Sequence, residues 1–573
     1  MKSIENQQSA EWKIGLKKEN TSTHSNNQQN TSNHSFGNSI PLDGLAGLVQ
    51  NWKYDIKSGF LIFLIALPLC LGISLASGVP PMAGIISTVV GGIIVSLLSG
   101  SYLTINGPAA GLIVVILTAV ETLGNGDAIL GYQTMLAAVV MSGILLVILG
   151  YTGAGVLGDF FPSSVIHGMM AAIGIIIISK QIHIVFGVIP NSSEPIYLFL
   201  ELPKTLAQMN LPIAVIGISV FVFLITYRLI KNPYLRKIPP PFFVVILALL
   251  STWILDLKNE HKIFLFGKEY EVGRKYLINL PENLLDGITN PNWSKINITD
   301  FWLIVLSITF VQGLESMLAS MAIDKLDPYK RKSNLNKDLR AIGLGNIVSG
   351  MIGGLPMIAE VVRSSANVRF GAKTRWSNFF HGLFMLIFVI FFPEIIRSIP
   401  SSALAALLIW VGYQLTSLKH FIHTYKIGFN QLIIFVSTII VTISTDLLIG
   451  VTSGMIVNIM VNYFEGRTQL KYLFTNNFKV QLLDQSTNRF EVKIKEALVF
   501  SNLLYFKSVL KKIPDHSVIE LDFSEAKIVG HSAFESLEQL KPELRLNDKI
   551  VIMKGLEHLV STSSYPTSTK VKR

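Results

Sequence analysis

Residues 101–111 read Ser101-Tyr102-Leu103-Thr104-Ile105-Asn106-Gly107-Pro108-Ala109-Ala110-Gly111. This stretch looks extended, and it opens an apolar segment (107–121) that is too short for a full membrane crossing, which takes about 20 residues. Pro108 suits a first helical turn, where its missing N–H costs nothing. The helix it opens exposes free N–H groups and about half a positive charge, so anions bind there readily. Gly107, Ala109 and Ala110 are small enough to let a ligand reach the backbone. A second short apolar segment, 357–368, follows Pro356 and repeats this logic with Arg363 inside it. Two facing helix N-termini plus Arg363 would make an anion site.

Reading outward, apolar segments fall at roughly 58–77, 81–99, 107–121, 134–152, 163–180, 212–230, 239–257, 301–322, 341–355, 357–368, 376–395, 401–416, 430–446 and 448–463. The third and tenth are the short ones. Short interrupted segments at corresponding places in two halves mark a transporter site at the membrane midplane. Their separation predicts an all-α polytopic domain of fourteen transmembrane segments in a seven-plus-seven inverted repeat, with half-helices 3 and 10.

Composition agrees. Half of the 573 residues are apolar and 15% are charged, against about 25% charged in soluble domains. The mean hydropathy is +0.50. The net charge of +11 belongs in cytoplasmic loops rather than on nucleic acid. A single cysteine, Cys70, excludes an internal disulfide framework and a Cys-based zinc site. No phosphate-binding loop motif is present, which argues against ATP-driven pumping.

With the N-terminus inside, the 6–7 loop (Arg228, Lys231, Arg236, Lys237), the 8–9 loop (Lys325 to Arg340) and the 10–11 loop (Arg369, Lys373, Arg375) are cytoplasmic, as the positive-inside rule asks. The polar 7–8 connection, about 258–300, lies outside. Residues 1–45 are rich in Asn, Gln, Ser, Thr and His, read as a disordered tail, and lack the apolar core of a signal peptide. The membrane domain runs over 46–465. Beyond it, strand signals at 490–494, 518–522 and 550–552 alternate with helical stretches near 501–512 and 531–542, which predicts a small cytoplasmic α/β domain over 466–573.

Ionisable residues inside spans are expensive, roughly 2.5–3.5 kcal/mol each on insertion scales. Glu315 in the eighth segment, and Glu360 and Arg363 in the tenth, are therefore functional candidates; a structural Glu360–Arg363 pair, three apart on one helical face, is the competing reading. Gly91, Gly92, Gly345, Ser349 and Gly353 read as close-packing positions. His167 and His381 read as packing residues, Cys70 as a buried apolar one, and Asp446 as a span-end residue facing water.

These residues resemble the SulP (sulfate permease) family of inorganic anion transporters. The resemblance covers about residues 50–560. It rests on Leu67-Pro68, Ser77-Gly78-Val79-Pro80-Pro81, Asn106-Gly107-Pro108-Ala109-Ala110-Gly111, Ile323-Asp324-Lys325-Leu326-Asp327, Gly345-Asn346-Ile347-Val348-Ser349-Gly350, Arg363-Ser364-Ser365-Ala366-Asn367 and Gly371-Ala372-Lys373-Thr374, in that order. The resemblance implies a core of spans 1–4 and 8–11 moving against a gate of spans 5–7 and 12–14. It implies a substrate site between the half-helices, lined by Gly107, Pro108 and Ala109 of the third, by Ala359, Glu360, Val361, Arg363 and Ser364 of the tenth, and by Leu69 of the first. Glu315 matches an acidic position that serves the coupling ion, H+ or Na+, with Ala319 one turn on. Ala319 stands where the sodium-bicarbonate branch has a Thr ligand, and Ala359, Glu360 and Val361 stand where it has Gly, Ala and Thr. These departures weaken a sodium site and leave Arg363 to supply the positive charge beside the anion. The resemblance also implies a C-terminal STAS domain, around Leu521-Asp522-Phe523-Ser524 and Gly530-His531-Ser532-Ala533, and a homodimer.

The expected function is secondary active transport of sulfate or bicarbonate across the cytoplasmic membrane, H+ or Na+ coupled, with both termini cytoplasmic and no resident cofactor. An uncoupled exchanger or channel of the same fold and a nucleobase carrier stay open. So does a receptor signalling through the C-terminal domain. No nucleophile–base pair or metal cluster supports an enzyme.

Overall fold

The computed structural model describes residues 40–190, 192, 194–230, 232, 238–546 and 548–572. Residues 1–39 of the expected tail, and Lys231, Arg236 and Lys237 of the 6–7 loop, lie outside the described residues.

Each apolar segment carries a helix. In order they are α1 Gly44–Ala76, α2 Pro81–Leu98, α3 Ala110–Gly124, α4 Ala128–Thr152, α5 Ser163–Val185, α6 Leu211–Thr226, α7 Pro240–Ile254, α8 Thr299–Leu326, α9 Leu335–Met351, α10 Val361–Arg369, α11 Trp376–Phe391, α12 Ser401–Leu415, α13 Phe429–Ser444 and α14 Leu447–Gly466. Among the described residues, seven helical stretches are long and apolar enough to cross a membrane alone. The bent pair Leu202–Gln208 and α6 makes an eighth, and α3, α7, α11 and α13 are shorter apolar helices. Apolar residues such as Val215, Leu250, Trp253 and Ile440 stand exposed on α6, α7 and α13, as on a lipid-facing surface.

Hydropathy alone misplaces the start of α1. The helix begins at Gly44, capped by the Asp43 carboxylate, and its early turns are anchored by a few paired polar groups although most of their side chains are exposed. Asp55 is buried and accepts from the Lys373 N–H at 2.8 Å, the Thr374 N–H at 3.1 Å and the Thr374 hydroxyl. Asp43 also pairs with Arg375.

The helices fall into two sets joined through α1, which also lies against α7 and α12. In one, α1 lies against α10 and α11, α2 against α11, α3 against α4 and α8, α4 against α8 and α9, and α8 against α10. In the other, α5 lies against α12 and α13, α6 against α7 and α12, and α13 against α14. Most of these pairings survive when every helix is exchanged with the one seven places on: α2–α11 becomes α9–α4, α1–α10 becomes α8–α3, and α6–α7 becomes α13–α14. Facing glycines set the closest approaches. A Cβ on Gly92 would lie 2.6 Å from the Gly382 nitrogen between α2 and α11. One on Gly143 would lie 2.7 Å from the Gly343 oxygen between α4 and α9, and one on Gly412 2.8 Å from the Gly174 oxygen between α12 and α5.

The small-residue reading of α9 needs correction. Gly345 does pack closely, against Val95 and Met357, but the Ser349 hydroxyl donates to the Leu355 carbonyl at 2.9 Å. Gly353 lies beyond the helix in a turn at φ +91°. The 7–8 connection holds a hairpin the sequence reading missed. It pairs strands His261–Leu265 and Lys268–Val272 about Phe266 and Gly267, both at positive φ.

Among the described residues after α14 come the short helix Leu470–Phe474, two longer helices and two four-stranded sheets. The first sheet runs Ile550–Lys554, Val518–Asp522, Arg489–Ile494, Phe478–Asp484, its first three strands parallel. The second holds Leu559–Ser561, Lys570–Lys572, Ala526–Val529 and Glu496–Leu498. The expected strands over 490–494, 518–522 and 550–552 are present. So are the helices, at Leu503–Lys512 and His531–Leu546. Their apolar faces bury Val492, Leu503, Phe506, Leu521 and Leu537 in one core. At the centre of the first sheet, buried Glu520 sits between Arg489 and Lys554. The hydrogen bond from Lys554 holds its carboxyl below the usual range.

The last strand is tied down by His531, whose Nδ1–H donates to the Thr567 carbonyl at 2.7 Å. Burial lowers the His531 pKa. An unfolded histidine takes up its proton near pH 6.5, and the folded one resists it. Protonation leaves the bond to Thr567 in place but puts a charge in a buried setting, so the stability tied to neutral His531 is fully present above about pH 6.5 and falls as pH drops toward the folded value. Hydrogen exchange on the full chain should show residues 562–572 losing protection between pH 7.5 and pH 5.5, and His531→Gln should flatten that response.

Candidate functional site

An extended chain in a membrane interior has no water to satisfy its N–H and C=O groups. The stretches before α3 and α10 meet this constraint by pairing with each other. Strand β1 (Asn106–Gly107) and strand β2 (Ile358–Ala359) form an antiparallel ladder with Asn106 opposite Ala359 and Gly107 opposite Ile358. Two more main-chain groups join when the Glu360 N–H donates to the Ile105 carbonyl at 2.9 Å.

Side-chain groups complete the set. The Ile105 N–H donates to the Ser364 hydroxyl at 2.8 Å, and the Ala359 N–H to the Ser316 hydroxyl at 3.3 Å. The Asn346 amide accepts from the Met357 N–H at 2.8 Å and donates to the Met357 carbonyl at 3.1 Å. Asn378 accepts from the Asn106 N–H and donates to the Asn106 side chain and the Gly91 carbonyl. Asn367 donates to the Leu103 carbonyl at 2.9 Å. All four asparagines are buried.

Two helix N-termini leave this ladder. That of α3 begins with a tight turn at Ala110–Leu112 behind Ala109, which is extended and offers no side-chain cap. That of α10 begins at Val361 with Glu360 as its cap. Neither proline lies in a first turn as the sequence reading expected. Pro108 and Pro356 sit upstream in the extended segments, where a missing N–H is one fewer group to satisfy. The Pro108 carbonyl, left free by this geometry, accepts from Arg363 Nη2 at 2.7 Å.

Arg363 is fully buried. Its guanidinium crosses from α10 to the β1–α3 junction, its Nη1 so close to Gly107 that a Cβ there would lie 2.8 Å away. Nη1 has no hydrogen-bond partner, and Nε lies 3.3 Å from Glu360 Oε2. Glu315, on α8, faces the other half-helix. Its carboxylate fills the space a Cβ at Gly111 would need, and Glu360 is its charged neighbour.

The remaining predicted residues divide. Gly107, Pro108, Glu360 and Arg363 meet at one point. Ala109 and Ala359 are buried at the ladder's ends. The Ser364 hydroxyl is engaged by Ile105 and by the Glu360 carbonyl, Ala319 is buried one turn after Glu315, and Leu69 is buried in α1 beside Pro68. Val361 is 39% exposed at the first turn of α10. Beside the ladder, His381 is buried and lies 3.4 Å from Asn378, and Cys70 is buried in α1; elsewhere His167 stacks on His420. Asp446 caps α14, accepting from the Ile449 N–H at 2.8 Å.

The asparagines and Ser316 were not singled out as site residues from sequence. The available signal was an amide inside an apolar segment, which is tolerated only when bonded; attention to charge alone passes over it.

Two helix bundles, with paired half-helices converging on a buried guanidinium, define a multi-pass membrane transporter. The chain belongs to the sulfate permease family, whose model matches residues 52–438. It is 25% identical over 414 residues to the putative sulfate transporter YvdB of Bacillus subtilis, covering 71% of this chain and 73% of that one. It is 24% identical to the bicarbonate transporter BicA of Picosynechococcus, covering 71% and 69%. Among solved structures, the transmembrane domain of a cyanobacterial BicA superposes with a TM-score of 0.60 at 20% identity, over 70% of this chain and 97% of that one. SLC26A9 superposes at 0.62 and 15% identity, over 89% and 85%. Members of the family are transporters, not enzymes.

Asn346→Ala removes both partners of Met357 and should destabilise the folded protein by about 1–3 kcal/mol for each group left unpaired. Thermal unfolding of the purified protein in detergent measures this. Ala on an exposed α6 position such as Val215 should be near neutral.

Proposed function

We propose that this chain carries a small inorganic anion, sulfate or bicarbonate, across the cytoplasmic membrane by secondary active transport. The observation that carries the reading is the buried Arg363 guanidinium, with an unpartnered Nη1, set between two half-helix N-termini. A buried cation without full pairing is costly, and an anion at the α3 and α10 N-termini would complete its coordination. The names of the relatives, sulfate and bicarbonate transporters, support the same substrate class.

In this reading the α1–α4 and α8–α11 bundle rocks against α5–α7 and α12–α14, and carries the anion with it. The exchange symmetry of the helix pairings supports a seven-plus-seven inverted repeat of fourteen spans, which keeps both termini cytoplasmic. Glu315 takes up the coupling ion, H+ or Na+, next to the α3 N-terminus. Ala319 offers no oxygen to a sodium ion, which favours the proton. The two-sheet unit after α14 is a STAS domain, and the assembly is a homodimer.

Uptake of labelled sulfate and labelled bicarbonate into proteoliposomes, with and without inward H+ or Na+ gradients, tests the reading. One of the two anions should accumulate faster under one gradient. Arg363→Ala should weaken its binding roughly 10- to 100-fold, the worth of a charge-assisted hydrogen bond. Glu315→Gln should abolish stimulation by the gradient while leaving anion exchange. Uptake that survives both Arg363→Ala and Glu315→Ala would falsify the assignment, and uptake indifferent to every gradient would make the protein an uncoupled exchanger or channel.

A further inference from the structure

The anion position at α10 is occupied by the protein itself. Glu360 Oε2 accepts from the Arg363 N–H at 2.8 Å, the bond a ligand at a helix N-terminus would make. The same oxygen lies 3.3 Å from Arg363 Nε. One carboxylate thus holds both the helix-end donor and one edge of the only fully buried arginine among the described residues. Nη2 donates to the Pro108 carbonyl, while Nη1 has no hydrogen-bond partner and Nε meets Glu360 only as an ion pair.

We infer that Glu360 is a tethered competitor of the transported anion: it neutralises Arg363 and caps α10 when the site is empty, and must swing aside for substrate to bind. The inference rests on the anion-transport reading and assigns Glu360 a role opposite to that of a ligand.

Three observations separate this from an ordinary helix cap. A cap requires only the N–H bond, whereas here the carboxylate also sits on the guanidinium. The Arg363 side chain has no exposure, so its charge must be balanced within the protein whenever substrate is absent. Glu360 keeps 17% of its side chain accessible, so it has a side from which to leave while Arg363 has none. The main chain of Glu360 stays fixed as its side chain moves, since its N–H is held by Ile105 and its carbonyl by Ser364. The α10 cap is then broken and remade in each cycle, with substrate supplying the negative charge in between.

The charge balance follows. With Glu360 in place, Arg363 and Glu360 sum to zero. An arriving anion that displaces the carboxylate leaves that negative charge close to the bound substrate, since the main chain of Glu360 stays in place. Removing the Glu360 charge therefore strengthens anion binding in two ways: no competitor sits on Arg363, and no displaced carboxylate repels the substrate.

Glu360→Gln keeps an oxygen for the cap and removes the charge. In proteoliposomes holding the full chain, the half-saturating concentration of labelled sulfate or bicarbonate should fall roughly 10-fold, the equivalent of one charge-assisted bond no longer displaced. The maximal rate should not rise with it. Glu360→Ala, which loses the cap as well, should move half-saturation in the same direction. Thermal stabilisation of the purified proteins by sulfate and by bicarbonate gives a second readout independent of transport. A half-saturation that is unchanged or raised in both variants, with wild-type uptake intact, overturns the inference and leaves Glu360 a cap or a ligand. If neither anion is taken up by or stabilises wild type or either variant, the anion-transport reading itself has failed.

Discussion

Peptide groups in the middle of a bilayer have only one another to bond with, and the two extended stretches at the centre of this protein are where that constraint binds hardest. A helix satisfies its own main chain; the segments around Asn106 and Ile358 cannot. Their solution is a ladder of two residues a side, finished by hydroxyls and amides borrowed from α8, α9, α10 and α11. Removing the ladder would leave a row of unbonded groups at membrane depth and nothing to hold the α3 and α10 N-termini in place.

The site inherits its chemistry from this arrangement. Fixing both helix ends concentrates N–H groups and positive potential in one place, and Arg363 adds a full charge with no exposure to water. Such a charge calls for an anionic partner, and the protein supplies Glu360 on Arg363; Glu315 lies at Gly111, against the other half-helix. The close α2–α11 and α4–α9 crossings, set by Gly92 with Gly382 and Gly143 with Gly343, keep the frame around that charge compact. The α5–α12 crossing at Gly174 and Gly412 repeats the device in the second bundle.

Sequence and structure agree where a pattern is long and diverge where a partner is distant. The positions of the fourteen apolar segments, the shortness of the third and tenth, and Arg363 and Glu315 as candidates could all be read directly. Each is a local composition signal. The start of α1 could not, because Asp55 is tolerated only through Lys373 and Thr374, over 300 positions away. Turn rules place Pro108 in a helical turn because they describe neighbours, whereas its carbonyl is directed by Arg363. The hairpin at 261–272 is hard to read because its strands lie in a polar connection where only Val272 is buried.

The sequence by itself determined the class of molecule: apolar segments of the right lengths must be helices in a bilayer, and two broken ones spaced by seven imply a repeat built around a central site. Only the tertiary structure decided what stands at that site. It showed that the two breaks bond to each other, that four asparagines complete the bonding, and that Glu360 rather than open space lies on Arg363. Those facts depend on contacts between residues hundreds of positions apart. Their geometry is set by packing, and no local pattern encodes it.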